Sequence, residues 1–258
     1  MAFSRNRDDT HGAIAHWRSM VCGRVRQDRF VHERPTVLLS AAMSVDGCID
    51  DASPQRLVLS DDADWDRVDE VRASVDAILV GATTVRRDDP RLLVRSQERV
   101  AARVAAGRQA QLLKVVISSR GDLDPEARVF TTGDTGRVVY VPSSGLGPAT
   151  ERLAHVADVV GAGDPLDLHR VLGDLAARGV HRLLVEGGTT MHTLFLSAGV
   201  VDELHLVVAP FFVGDADAPR FVGPARFPHD SAHRMRLAEA RPIGDQVLLH
   251  YVLEGSRE

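Results

Sequence analysis

The chain has 258 residues, 44% of them hydrophobic and 26% charged, a make-up that suits a folded protein with a sizeable core and excludes a disordered chain or a minimal peptide scaffold. Its 31 basic and 36 acidic residues give a net charge of -5, so it lacks a broad basic footprint for nucleic acid or anionic lipid, and no apolar run approaches the roughly 20 residues that span a bilayer. Two cysteines, Cys22 and Cys48, build neither a disulfide framework nor a four-thiolate metal site, and the polar start of the chain lacks signal-peptide character, so a cytoplasmic location is expected.

Residues 1–34 mix charge, histidine and isolated apolar side chains up to Pro35 and read as an N-terminal extension, expected to form one helix; 35–258 read as a single domain. The short apolar run 36–43, closed by Asp46-Gly47, predicts a buried strand. Ser60 reads as a helix N-cap followed by Asp61, Asp62 and Asp64, and Trp65, Val68, Val71 and Val75 at helical spacing predict a helix over 61–73. Strands follow at 76–81, 113–117, 137–141 and 158–160, a helix at 167–177, a strand at 180–185 and a helix at 190–197. Alternating strands and helices predict an α/β protein with a mainly parallel sheet. After Val201 the pattern turns to strands at 203–209, 233–240 and 246–253, the last two joined through Gly244-Asp245, so the sheet is mixed, with an antiparallel C-terminal edge.

Ligands of open α/β sheets bind at the carboxyl ends of the strands. Three loops fall at such ends: Ser44-Val45-Asp46-Gly47, the stretch from Gly81 to Arg95, and Glu186-Gly187-Gly188-Thr189-Thr190. In the third, a carboxylate ends a buried strand and two glycines permit close backbone approach before a helix whose amides and dipole suit a pyrophosphate. Taken singly, the glycine pair is a tight turn, Asp88-Asp89-Pro90 a loop terminator and Arg95 a surface charge; together the loops offer the hydroxyls, carboxylates, arginine and glycine amides that a nucleotide-assisted reaction on a phosphorylated substrate requires.

Other motifs are absent. Gly161-Ala162-Gly163-Asp164-Pro165-Leu166 lacks the third glycine of the dinucleotide fingerprint, no Gly-Lys-Ser/Thr makes a P-loop, and no histidine has the His-x-Glu pattern of zinc deaminases. His229 and His233 lack the intervening glutamate of a zinc protease, and His192 and His205 read as packing or surface residues. No metal site is expected. Lys114 is the only lysine among the basic residues, and the arginines spread along the whole chain read as compositional bias.

The ordered set Ala42-Met43-Ser44-Val45-Asp46-Gly47, Val71-Arg72-Ala73, the run Asp76 to Gly81, Thr84-Val85-Arg86-Arg87-Asp88-Asp89-Pro90-Arg91-Leu92, Val185-Glu186-Gly187-Gly188 and Val201-Asp202-Glu203-Leu204 with Ala209-Pro210 resembles the reductase domain of the riboflavin-biosynthesis deaminase-reductases and their stand-alone pyrimidine-reductase relatives, over about 36–253. The resemblance implies a dihydrofolate-reductase-like fold, NADPH as cofactor, a homodimer formed through the C-terminal sheet region, and a small-molecule substrate: 5-amino-6-(5-phosphoribosylamino)uracil or its 2,5-diamino precursor, reduced to the ribitylamino product. It implies that the sugar opens to an imine and takes a hydride at C1. By residue, it implies Thr84, Asp88, Ser118, Gly187, Gly188, Thr189 and Thr190 at the cofactor, and Ser44, Arg72, Leu92, Arg95 and Glu186 at the substrate; Arg120, beside Ser118, is our own candidate for the cofactor 2′-phosphate. Asp88 and Glu186 are both candidates for the proton-handling group. The zinc deaminase of the bifunctional relatives has no counterpart in the first 35 residues, and Ser40 stands where the bacterial enzymes carry a lysine. A reductase of another pyrimidine or pterin, and a nucleotide-binding dimer without turnover, stay open as alternatives.

Overall fold

The apolar runs become the rungs of one nine-stranded sheet in a computed structural model that describes residues 34–53, 55 and 57–253. In chain order the elements are β1 (Thr36–Ser44), α1 (Asp62–Ser74), β2 (Ala77–Gly81), α2 (Ala82–Asp88), α3 (Gln97–Ala105), β3 (Leu113–Ile117), α4 (Arg128–Thr131), β4 (Arg137–Val141), α5 (Leu146–Leu153), β5 (Asp158–Gly161), α6 (Leu168–Ala177), β6 (Arg182–Val185), α7 (Thr189–Ser197), β7 (Glu203–Ala209), β8 (Arg236–Ile243) and β9 (Gln246–Val252). Across the sheet the order is β5-β4-β3-β2-β6-β1-β7-β9-β8. Neighbours run parallel from β5 to β7, and β9 runs antiparallel to both β7 and β8, which is the expected mixed sheet. The extension expected at 1–34 lies, but for Arg34, outside the described residues.

Strand alternation sorts the core onto two faces. Val37, Leu39, Leu79, Val115 and Tyr140 pack with Leu172, Leu175 and Phe195 of the helices on one side. Leu38, Ile78, Val80, Val116 and Val139 pack with Val71, Val75 and Leu153 on the other. The strands are buried on both faces, which is why they read as continuous apolar runs.

Several boundaries differ from expectation. Asp61, not Ser60, caps α1, its carboxylate accepting from the Asp64 amide at 2.8 Å. β6 starts at Arg182, because Arg178 and Gly179 are still turning out of α6 and Gly179 has φ 83°. β8 starts at Arg236 and not at His233: the Asp230 carboxylate accepts from the Ala232 and His233 amides, holding that stretch in a turn. β8 then runs on to Ile243 with an irregularity between Leu237 and Glu239. Within the stretch read as one long loop, Ala82–Asp88 is helical, ending at Asp89 in the left-handed region (φ 41°) just before Pro90. α3, capped by the Ser96 hydroxyl, and α5 were likewise not predicted.

One detail of register positions the site. β1 pairs with β6 only as far as Leu39↔Val185, yet pairs with β7 up to Ser44↔Ala209. On the other side β2 pairs with β6 to Leu79↔Val185 and with β3 to Gly81↔Ile117. β6 is thus the short rung, and beyond Val185 the chain turns away at Glu186, whose amide donates to the Leu79 carbonyl at 2.9 Å. The sheet opens there between residues 40–42 of β1 and 80–81 of β2.

Candidate active site

That opening is the floor of a crevice of about 1430 Å³, beyond the roughly 300–1,000 Å³ of a pocket for one small ligand. Ten of the thirteen expected site residues line it: Arg72, Thr84, Asp88, Leu92, Arg95, Glu186, Gly187, Gly188, Thr189 and Thr190.

The Glu186 turn leads into α7. Gly187 has φ 144°, and a Cβ there would come 3.5 Å from Thr84 Oγ1. No side chain caps α7; the Met191 amide turns back to the Gly188 carbonyl at 3.0 Å, which leaves the Thr189 and Thr190 amides to face an anion. Its position is fixed from behind: Thr189 Oγ1 donates to the Arg220 carbonyl, and the Gly223 amide donates to Thr193 Oγ1 at 2.8 Å.

Glu186 itself is clamped. Arg72 of α1 donates through Nε to Oε1 at 2.9 Å and through Nη2 to Oε2 at 2.8 Å. Burial disfavours the Arg72 charge, but the Glu186 carboxylate, by charge and hydrogen bonds, and Asp69, by charge, outweigh it and raise the guanidinium above its ordinary pKa. With both oxygens in use, Glu186 is arranged as a fixed anion more than as a proton donor.

The third wall is the connection from α2 to α3. The Asp89 carboxylate accepts from the Arg128 amide and Nε at 2.7 and 2.8 Å. Leu92 is buried with φ 52°, a conformation rare for a bulky residue. The Asp69 carboxylate takes the Arg95 and Ser96 amides. These anchors leave two side chains uncommitted among the described residues: no partner takes the Asp88 carboxylate or the Arg91 guanidinium. Arg95 lies 5.3 Å over the Trp65 ring, free to receive an anion.

Three of the expected residues stand outside the lining. Ser44 is fully buried, accepting from the Cys48 amide and donating to Asp46; that hydrogen bond, with the Gly214 and Val213 amides, lowers Asp46 to a pKa of about 2. Ser44 therefore fixes the loop that ties β1 to 213–214. Ser118 is buried too, its Oγ accepting the Gly121 amide at 2.9 Å, and its neighbour Ser119 is the lining residue. Arg120 is three-quarters exposed and pairs with Asp122 at 3.3 Å. Conversely, the crevice includes residues that the sequence reading passed over. Asp64 and Arg67, joined at 2.6 Å, stand behind Ser40, whose Oγ lies 3.4 Å from Arg67 Nη1. Asp50 meets Arg87 at 2.9 Å. The i,i+3 spacing of Asp64 and Arg67 in a helix was the available signal.

The fold and site define an α/β protein with a mixed nine-stranded sheet and a ligand-sized opening at its short inner strand. Residues 35–249 match the family model described as the RibD C-terminal domain, and the chain belongs to that family. It is 35% identical over 224 residues to the 2,5-diamino-6-ribosylamino-4(3H)-pyrimidinone 5′-phosphate reductase of Methanothermobacter thermautotrophicus, covering 86% of this chain and 100% of that one. With the reductase of the same name from Archaeoglobus fulgidus the identity is 38% over 189 residues, covering 72% and 85%. Among solved structures, Acinetobacter baumannii RibD shares the fold with a TM-score of 0.72 at 24% identity; the alignment covers 87% of this chain and 59% of that longer one. A pyrimidine reductase-like protein from Corynebacterium diphtheriae gives 0.70 at 22% identity over 86% and 92%. Among the described residues no helix is long and apolar enough to cross a membrane.

Proposed function

We propose that this chain is an oxidoreductase that reduces 2,5-diamino-6-ribosylamino-4(3H)-pyrimidinone 5′-phosphate with NADPH, the step of riboflavin biosynthesis that turns the ribosylamino group into ribitylamino, and that one domain over 35–258 carries it. The observation that carries this reading is the likeness to the Methanothermobacter reductase along that enzyme's whole length.

The crevice supports the reading. Gly188 is open enough that a Cβ would meet only Ile49 Cδ1, at 3.9 Å, and with the uncapped start of α7 it makes a cradle that fits a dinucleotide pyrophosphate. NADPH, when bound, supplies the hydride. Gly187, Gly188, Thr189 and Thr190 would hold its phosphates and Thr84 its nicotinamide end. Arg95 would take the substrate phosphate and Asp88, whose carboxylate has no partner among the described residues, would orient the ribose hydroxyls and move a proton during ring opening. Arg72 and Glu186 would form a fixed polar floor, and Leu92 would close the pocket against water. The cation for the 2′-phosphate passes in this reading from Arg120 to Arg86, a crevice residue that meets Asp122 at 3.0 Å. Positioning the two reacting carbons supplies most of the acceleration.

The test is stopped-flow loss of NADPH absorbance with the diamino substrate and its deaminated uracil counterpart side by side, with the product identified by mass. Oxidation with the diamino compound, yielding the ribitylamino product, is the expected outcome. NADPH binding without oxidation by either compound would sink the proposal in favour of a nucleotide-binding protein. Faster turnover of the deaminated compound would reverse the substrate order. The same reading includes a homodimer through β8, whose edge is open and whose residues from Arg236 to Pro242 are exposed.

A further inference from the structure

One strand away from the crevice, three side chains with metal-binding chemistry share a face of the sheet. His205 of β7 and His250 of β9 are direct partners in the antiparallel register, and their rings meet edge to face with centroids 4.5 Å apart. Glu203 lies two residues before His205, so strand alternation brings it to the same face. One ligand atom from each of the three lies within 4.8 Å of the other two. His205 Nδ1 and His250 Nε2 are buried without a hydrogen-bond partner among the described residues, although Glu203 Oε2 stands 3.5 Å from the latter. Buried polar atoms without partners are rare in folded proteins and call for an explanation.

The surroundings keep these imidazoles available. His205 Nδ1 is left without a partner among the described residues, and the guanidinium groups of Arg67, Arg182 and Arg241 stand near its ring. The same arginines would repel a cation if they were unbalanced, but each is matched by a carboxylate. Arg67 meets Asp64 at 2.6 Å, Arg182 meets Glu203 at 2.9 Å and Arg241 meets Glu239 at 2.9 Å. The cluster is therefore close to electroneutral. The Arg182 contact leaves Glu203 oriented from behind, as outer partners of metal-binding carboxylates do.

We infer that Glu203, His205 and His250 form a binding site for a divalent transition-metal ion of the zinc or copper type, separate from the crevice, that staples β9 to β7. Two imidazoles and one carboxylate suit these borderline ions and leave a coordination position for water.

The test uses tag-free full-length protein, stripped with a chelator and dialysed. Zinc chloride is titrated by calorimetry, and copper(II) chloride is followed by electron paramagnetic resonance. One ion per chain, a copper signal split by two nitrogens, and a melting temperature that rises with metal and falls back with chelator are expected. His205→Gln and His250→Gln should each weaken binding by about tenfold or more. His229→Gln should leave it unchanged, which separates this site from histidines elsewhere, such as His11 and His16. No binding by the stripped protein, or equal affinity in all three variants, would overturn the inference. Should a variant fail to fold, the copper spectrum of the unmodified protein decides, since a signal without two-nitrogen splitting would also overturn it. None of these readouts depends on turnover, so the outcome is independent of the proposed reaction.

Discussion

Asp88 and Asp89 are adjacent carboxylates with opposite assignments, because Asp89 spends both oxygens on Arg128 while Asp88 has no partner among the described residues. Asp88→Asn keeps the shape and removes the proton acceptor, so kcat should fall by about 10²-fold or more with the melting temperature unchanged; steady-state NADPH oxidation beside calorimetry checks both. Arg95→Ala removes a charge-assisted contact worth about 1.5–3 kcal/mol and should raise KM by about 10- to 100-fold. Arg72 is a different case. Removing it leaves Glu186 without a counter-charge in a mostly buried site, which should cost about 3–5 kcal/mol of stability, visible as a lower urea midpoint that Arg72→Ala combined with Glu186→Ala partly restores. The sequence placed Glu186 at a strand end but left acid and anchor equally open, because the deciding partner lies 114 positions away. Arg120 lies outside the lining because it pairs with Asp122 on the surface, and Ser44 and Ser118 lie outside it for a reason of their own. Their position in the chain is beside the crevice, but buried hydroxyls are drawn to the nearest backbone amides.

Among the elements, α7 carries the cofactor proposal. Gly188→Val puts a branched side chain in the cradle and should raise the NADPH dissociation constant, measured by fluorescence titration; an unchanged constant would leave only a structural turn. α7 also carries His192, buried with Nδ1 2.9 Å from the Phe221 carbonyl. Burial lowers its pKa to about 4, against the smaller upward effect of that hydrogen bond. Its folded value lies below the ordinary 6.5, so between about pH 6.5 and 4 the unfolded chain takes up a proton that the folded chain does not. Stability is full above that window and should fall, as pH drops through it, by up to about 1.4 kcal/mol per unit. Urea unfolding across the window, with His192→Asn flattening the slope, checks the sign. The buried strands were legible because both of their faces are apolar. α2 was not: Thr83-Thr84 and Arg86-Arg87-Asp88-Asp89-Pro90 look like loop, and the helix is held by Val85 in the core and the left-handed cap at Asp89. α5 hides in a stretch rich in Gly, Ser and Pro, with Pro148 in its first turn, where a missing N–H costs little.

At the scale of the molecule, the sequence indicated a parallel body and an antiparallel edge but not the order of the strands. That order depends on pairings such as Thr36 with Arg182, which join distant segments and leave no mark in either one. The rim of β8 carries Leu237 about half exposed, the apolar contact that the proposed homodimer would bury; Leu237→Lys should then shift the protein toward monomer in sedimentation, and no shift would point to another interface or to none. The early end of β6 has a wider implication. A slot framed by hydrogen-bonded strands is held open by its frame, so the proposed cofactor and substrate would enter a preformed space. Selectivity among heterocycles would then fall to the rims, residues 57–60 and Pro219 among them.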